Sequence, residues 1–291
     1  MPVAVITGAS KGLGLALAGA LAGRGWDLVV DARAAGPLAK AARELRGAGS
    51  RVVALPGDVA GGGHRTALVA AAGELGGLDL LVNNASALGA EPLVRLAELP
   101  AAGLRRALEV NVVAPLELIK EALPLLRDSS YFSYPPSYVA EAPYIGEAPF
   151  RGDEHPAEAY DPHPYSENSQ NTDLSVSHPY VGVHGAVLTL SSDAAVEAYP
   201  TWGGYGASKA ALDQLSAVLA VEEPGLRVWW VDPGDMRTDL YAAAVPDDDG
   251  SGRPLPQTVV PALLRLLDGA AASGRYTAAD LTAAPDGASS R

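Results

Sequence analysis

The sequence predicts an α/β fold, a doubly wound and mostly parallel sheet of about seven strands with helices on both faces. Three observations carry that expectation. Short apolar runs alternate with helix-favouring segments; the first run ends in a cluster of glycines that opens into an alanine- and leucine-rich stretch; and the same alternation resumes after a long break in composition. Buried strands alternating with helices imply crossover connections, and hence parallel pairing.

Taken in order, Val3-Ala4-Val5-Ile6 is the first strand. It runs into Thr7-Gly8-Ala9-Ser10-Lys11-Gly12-Leu13-Gly14 and then into a helical segment up to Arg24, which reads as strand, glycine turn, helix. Leu28 to Val30, Val52 to Leu55 and Leu78 to Val82 follow as strands, with a helix at Leu38 to Leu45. A long helix is expected from about Ala101 to Leu126, kinked or interrupted at Pro115 and Pro124 because proline withholds an N–H and crowds the preceding turn. After the break come a strand at Gly185 to Leu190, a helix from about Tyr205 to Val221, a strand at Leu226 to Val231 and a last helix at Gln257 to Leu267. Asp247-Asp248-Asp249-Gly250-Ser251-Gly252 reads as an exposed loop, and residues 283–291 as a frayed, flexible tail. The sequence shows no internal repeat.

At 291 residues, one large domain over residues 1–282 is a better expectation than two small ones. No apolar run approaches the roughly 20 residues that span a bilayer. Met1 to Val5 also lacks the basic stretch of an export signal, so a cytoplasmic protein without a membrane role is expected. With no cysteine, disulfides, thiolate catalysis and cysteine-ligated zinc are excluded, and redox chemistry must come from a cofactor. A formal charge of -13 argues against a nucleic-acid partner, since phosphate contacts need clustered Lys and Arg.

The break is sharp. From Ser129 to Val183 the chain holds seven of its eleven tyrosines and both phenylalanines, and Arg151 is the one Lys or Arg. Regular helix is disfavoured there, and the stretch reads as an irregular, acidic, Tyr/Pro-rich insertion. A connection feeding the N-terminal end of a strand lies on the edge away from a ligand site, so a peripheral loop is expected rather than a catalytic lid. An interaction loop for a partner protein and an insertion of foreign origin are alternatives. His155, His163 and His178 match no ligand spacing, and no metal is expected.

Gly8, Gly12 and Gly14 lie between a strand and a helix, where glycine lets the backbone turn sharply and approach a pyrophosphate at the helix N-terminus. That spacing in that place predicts a Rossmann-type dinucleotide site. Lys11 in the turn and Arg33 past the second strand offer cations to a ribose 2′-phosphate, while Asp31 falls one residue short of the position for a ribose-binding carboxylate and Ala32 stands there instead. NADPH/NADP+ is therefore favoured over NADH; a shift of one residue in the alignment reverses the preference.

Tyr205 and Lys209 are four apart in a helical stretch, so they share a face. An ammonium near a phenol favours the phenolate and is expected to draw Tyr205 toward a working pH, as a proton donor in ketone reduction and acceptor in alcohol oxidation. Ser192 lies thirteen residues before Tyr205 at the end of a strand, where its hydroxyl could bond a substrate oxygen and stabilise developing charge; Ser191 is its rival.

Together these motifs resemble the short-chain dehydrogenase/reductase family in its compact single-domain branch. Thr7-Gly8-x-x-x-Gly12-x-Gly14 is similar to its cofactor turn, Asn83-Asn84-Ala85 to its sheet-supporting motif and Tyr205-x-x-x-Lys209 to its active-site motif. Asp58-Val59 resembles the adenine-contacting pair, and Pro233-Gly234 with Thr238 the segment flanking nicotinamide. The resemblance implies cofactor contacts from Ser10 and Leu13 as well as those glycines, a ribose contact from Lys209, and for Asn111 a water-holding place in a proton relay ending at Lys209. It covers residues 2–128 and 185–267. Ser86 departs from the family's usual glycine, and the family usually joins the long helix to the serine-bearing strand by a short turn.

The implied function is hydride transfer between NAD(P)(H) and a small carbonyl or alcohol, in a homodimer or homotetramer. The competing reading is a non-catalytic NADPH-binding regulator of the same fold, which usually lacks Tyr205 or Lys209. Tyr199, Trp202 and Tyr241 offer aromatic walls, suggesting an apolar or ring-bearing substrate.

Overall fold

A computed structural model of the chain describes residues 1–47, 49–132, 183–269 and 271–283. The strands are β1 (Val3–Ile6), β2 (Asp27–Ala32), β3 (Val52–Pro56), β4 (Leu80–Asn83), β5 (Ala186–Leu190), β6 (Arg227–Asp232) and β7 (Gly274–Thr277). They form one sheet in the order β3-β2-β1-β4-β5-β6-β7, and every neighbouring pair is parallel. The first six match the expected runs; β7 was not located by the sequence.

Alternation along the buried strands sends side chains to two cores. Ala4 and Ile6 of β1 face one cluster, with Leu17 and Leu21 of α1 (Gly12–Gly23), Leu38 and Leu45 of α2 (Ala35–Arg46) and Leu263 and Leu266 of a late helix (Val260–Asp268). Val3 and Val5 face the other, with Leu68 and Ala72 of α3 (Gly62–Leu75). Truncating a fully buried leucine in either layer to alanine costs about 2–5 kcal/mol.

The expected long helix is three pieces in one run: α4 (Ala101–Leu108), a π-turn (Glu109–Val113) and α5 (Ala114–Asp128). The widened turn falls just before Pro115, which sits in the first turn of α5, where a missing N–H is harmless. Pro124 lies inside α5 without ending it. Then come α6 (Gly203–Glu222), α7 (Asp239–Ala244), α8 (Val260–Asp268) and α9 (Ala278–Ala283). Ala283 thus closes a helix, and the rest of the expected tail lies outside the described residues. Among the described residues no helix is long and apolar enough to cross a membrane.

The two described ends of the Ser129–Val183 stretch meet at the N-terminal edge of the sheet. Ser129 Oγ donates to Asp79 Oδ1 at 2.6 Å, Gly185 N donates to Leu126 O at 2.8 Å, and His184 Nδ1 lies 3.2 Å from Ser129 O. Phe132 is buried against Trp229, and Tyr131 packs edge-on to Trp26. Both ends therefore sit opposite the strand ends that carry the site. Residues 133–182, with the three histidines, lie outside the described residues.

Candidate active site

Strand order reverses between β1 and β4, which leaves a crevice beyond their C-terminal ends. The turn from β1 into α1 lines it. Gly8 adopts φ +67°, in the left-handed region that glycine enters freely, and its N–H donates to Asp31 Oδ1 at 2.6 Å. At Gly14 the constraint is space, since a Cβ would lie 2.5 Å from Asn84 Nδ2 and 2.8 Å from Gly8 O. Asn84 braces the turn from β4, its Nδ2 donating to Thr7 O at 2.7 Å and to Gly8 O at 3.2 Å. The N-cap residue of α1, Lys11, makes no side-chain cap, so the first N–H groups of that helix are left to the groove.

The groove encloses about 630 Å³. Gly8, Ser10, Lys11, Gly12 and Leu13 line its phosphate end; Arg33, Asp58 and Val59 the end beyond β2 and β3; and Asn84 and Ala85 its middle. Tyr205, Lys209, Pro233 and Thr238 close the other end. Three predicted residues do not line it. Gly14 packs behind the turn, Asn83 is buried in β4, and Gly234 opens into the neighbouring pocket.

Charges at the far end are arranged around two aspartates. Asp31 is 1% exposed and its carboxylate is committed, one oxygen to Gly8 N–H and the other to His64 Nε2 at 3.0 Å. Burial pushes the Asp58 carboxyl up, but the Ala60 N–H, Arg106 at 2.6 Å and the charge of Arg33 outweigh it and hold the group below its ordinary range. Lys11 Nζ pairs with Asp239 Oδ2 at 2.6 Å on the surface.

At the other end α6 presents Tyr205 and Lys209, both buried. Burial pushes the Tyr205 phenol up to about 12; the nearby hydroxyls of Ser86 and Ser192 pull the other way, and Asp232 and Asp193 push it up. Burial brings Lys209 down to about 8, opposed by Asp213. The expectation that the ammonium draws Tyr205 toward the phenolate is not met. Lys209 Nζ is turned to Leu190 O at 2.6 Å and stands 5.6 Å from the Tyr205 ring centre, so desolvation wins and the phenol holds its proton at neutral pH.

Ser192 accepts the Ala194 N–H at 3.2 Å and donates to Asp193 Oδ1 at 2.9 Å, while Ser191 is more deeply buried. Asn111 lies in the π-turn, fully buried. Its Nδ2 donates to Ala87 O and Ser208 Oγ at 2.8 Å each, and its Oδ1 accepts Ala87 N–H at 2.8 Å and Ser86 Oγ–H at 3.3 Å. These bonds tie Asn111 to α6 through Ser208, whose hydroxyl donates to Tyr205 O at 2.6 Å, rather than to Lys209.

A second pocket of about 390 Å³ shares Tyr205 with the groove. Tyr199, Trp202 and Tyr241 converge on it as the sequence suggested. Its charged wall takes in the Asp-rich stretch after Thr238, which the sequence offered as a substrate contact, together with Arg253, Asp235 and Asp232, which it did not single out. The Asp247–Gly252 loop is not simply exposed: Asp248 accepts the Tyr241 hydroxyl at 2.6 Å, and Arg253 lies over the Tyr241 ring while pairing with Asp235 at 3.0 Å. Asp232, whose carboxyl is raised by burial and by Asp193, bonds Gly234 N–H at 2.9 Å. Ser86, where the family usually has glycine, brings a hydroxyl that donates to Asn111 Oδ1 at 3.3 Å. Among the described residues no group of three or more His, Asp or Glu could hold a metal ion.

A parallel, doubly wound sheet with a glycine turn at its crossover and a Tyr–Lys face beside it defines a dinucleotide-binding class of α/β protein. The pattern of the short chain dehydrogenase family matches residues 2–131 and 175–249, and the chain belongs to that family. The unmatched interval falls inside the Ser129–Val183 break. The cis-4-hydroxycyclohexanecarboxylate dehydrogenase of Sinomonas cyclohexanicum is 42% identical over 122 residues, 42% of this chain and 48% of that protein. The rhamnolipid-biosynthesis 3-oxoacyl-[acyl-carrier-protein] reductase of Pseudomonas aeruginosa is 34% identical over 129 residues, 44% of this chain and 49% of that protein. The chain thus spans about half the length of these curated relatives. An alcohol dehydrogenase of the archaeon Thermococcus sibiricus, solved with 5-hydroxy-NADP, shares the fold with a TM-score of 0.70 over 95% of each chain at 23% identity.

Proposed function

We propose that this protein is an NADPH-dependent oxidoreductase that interconverts a small carbonyl compound and its alcohol. The observation that carries the reading is the place of Tyr205, which lines both the groove and the pocket beside it, with Ser192 on the wall of that pocket.

The fit to a dinucleotide rests on the turn. The space at Gly14 admits no side chain, the α1 N–H groups face the groove, and Arg33 lines the end where a 2′-phosphate needs a cation, while Lys11 lines the groove nearer the turn, paired with Asp239. Asp31, engaged by Gly8 and His64, offers no carboxylate to a 2′-hydroxyl, which supports NADPH over NADH. The solved relative from Thermococcus sibiricus binds an NADP derivative, in keeping with this.

The nicotinamide, when bound, supplies or accepts the hydride. Tyr205 keeps its proton at neutral pH and gives it to the substrate oxygen in reduction. Ser192 orients that oxygen, Lys209 holds the ribose and offsets charge left on the phenolate, and Asn111 fixes the start of α6 through Ser208. The test is NADPH oxidation over a panel of ketones and aldehydes. Tyr205→Phe should lower turnover by roughly 10²–10⁴-fold while NADPH still binds. Nucleotide binding without turnover on any substrate in either direction would favour the regulatory reading instead.

A further inference from the structure

Arg275 stands on β7, the edge strand, where its guanidinium reaches two elements at once. Its Nε donates to Asp213 Oδ2 on α6 at 3.0 Å, and its Nη2 donates to the backbone carbonyl of Ser192 at the end of β5 at 3.0 Å. Asp213 follows Lys209 by four residues and Tyr205 by eight, so the three share one side of α6. The other Asp213 oxygen, Oδ1, is buried with no hydrogen-bond partner among the described residues, and the charge of this carboxylate acts on Lys209. The charged groups around this corner are Asp213 beside Lys209 on α6, Asp193 and Asp232 at the ends of β5 and β6 beside Tyr205, and Arg275 on β7.

We propose that Asp213 and Arg275 are a positioning pair for the catalytic centre, which fixes the Ser192 end of β5 against the helix carrying Tyr205 and Lys209 and divides one carboxylate between a guanidinium and the Lys209 ammonium. Neither residue touches substrate. Arg275 holds the main chain of Ser192, and Asp213 is the anchor without which that guanidinium would lack its partner on α6.

The division of charge gives a signature that mere packing lacks. Removing the carboxylate leaves the burial of Lys209 unopposed, so the ammonium is lost at lower pH. Removing the guanidinium leaves Asp213 wholly to Lys209 and takes away a like charge, so the ammonium persists to higher pH. The chain has four lysines, Lys11, Lys40, Lys120 and Lys209, which makes titration of carbon-13 lysine by NMR practicable, with Lys209→Arg assigning the signal. Asp213→Asn should move the Lys209 midpoint down, and Arg275→Met should move it up, each by roughly one pH unit. Arg275→Gln replaces the methionine variant, with the same expectation, if the latter does not fold. Midpoints that stay at the wild-type value in both folded variants, or move the same way in both, overturn the proposal.

The pair rests on the roles given above to Tyr205, Lys209 and Ser192, yet the titration needs no turnover. Full activity in Tyr205→Phe would sink those roles and leave the titration readable, whereas unmoved midpoints sink the pair alone.

Discussion

The groove and the pocket that meet at Tyr205 are built by different means. The groove is shaped by backbone: a glycine at positive φ, a second glycine with no room for a side chain, and an asparagine that bonds main-chain carbonyls. The pocket beside it is shaped by side chains from separate segments, with Tyr241, Asp248, Arg253 and Asp235 tied to one another and Trp202 edge-on to Tyr205. Backbone geometry restricts which residues a position accepts, so the groove tolerates little change. Side-chain ties can be exchanged for others of similar reach, which suits a wall that must fit a particular substrate.

The difference can be broken most forcefully at Gly14. Alanine there must displace the Asn84 amide or the Gly8 carbonyl. Overpacking of this kind costs about 1–3 kcal/mol, so Gly14→Ala should lower the melting temperature and weaken NADPH binding more than tenfold, both measurable in one fluorescence titration series. An unshifted Kd would show that the groove yields as readily as the pocket.

Arg33→Ala should have a smaller and selective effect. Loss of one charge-assisted contact weakens NADPH binding by roughly tenfold, about 1.4 kcal/mol, and leaves the Kd for NADH unchanged. Equal losses for both nucleotides would remove the 2′-phosphate contact from its role.

Acidity separates the two regions more gently. Lys209 is held by burial at about 8, below the ordinary lysine value, so its ammonium is complete under that pH and lost as pH rises through it. Reductive kcat should therefore halve near pH 8 and fall further above it. NADPH affinity at the Arg33 end should stay level over the same range, since no lysine there is buried.

The smallest effect is expected at the opposite edge of the sheet. Joining Phe132 to Val183 by a short glycine–serine turn removes residues 133–182, and the existing contacts between Ser129 and His184 already hold those ends together. The melting temperature should stay within about 4 °C, equivalent to roughly 1 kcal/mol, and turnover should be unchanged. A loss of turnover with the fold intact would give that stretch a part in the site.

How far the sequence could be read follows the same division. β1, the glycine turn, β4 and β5 are apolar runs or motifs whose residue types are dictated by local geometry, and they lie where the pattern placed them. Gly274-Arg275-Tyr276-Thr277 has no apolar run and is half-buried throughout, so nothing marked it as a strand. The π-turn at Glu109–Val113 also escaped, although Pro115 marked the place where the helix had to depart from regularity. The motif residues of the site could be named in advance. Arg253 and Asp213 could not, because no spacing announces their ion pairs with Asp235 and Arg275. The expected lowering of the Tyr205 pKa failed for a related reason, since burial raises it: proximity on a helix can be read from spacing, but the depth of burial that decides the sign cannot.

Arg275 reaches the site from the last strand of the sheet, and that has a consequence in time. Every motif residue from Gly8 to Lys209 precedes β7 in the chain, yet all belong to one sheet, and a domain generally folds as a unit. A chain lacking β7 would carry the glycine turn, the tyrosine and the lysine but leave the main chain of Ser192 without its Arg275 tie. The tie between the Ser192 main chain and α6 therefore forms only once β7 has joined the sheet.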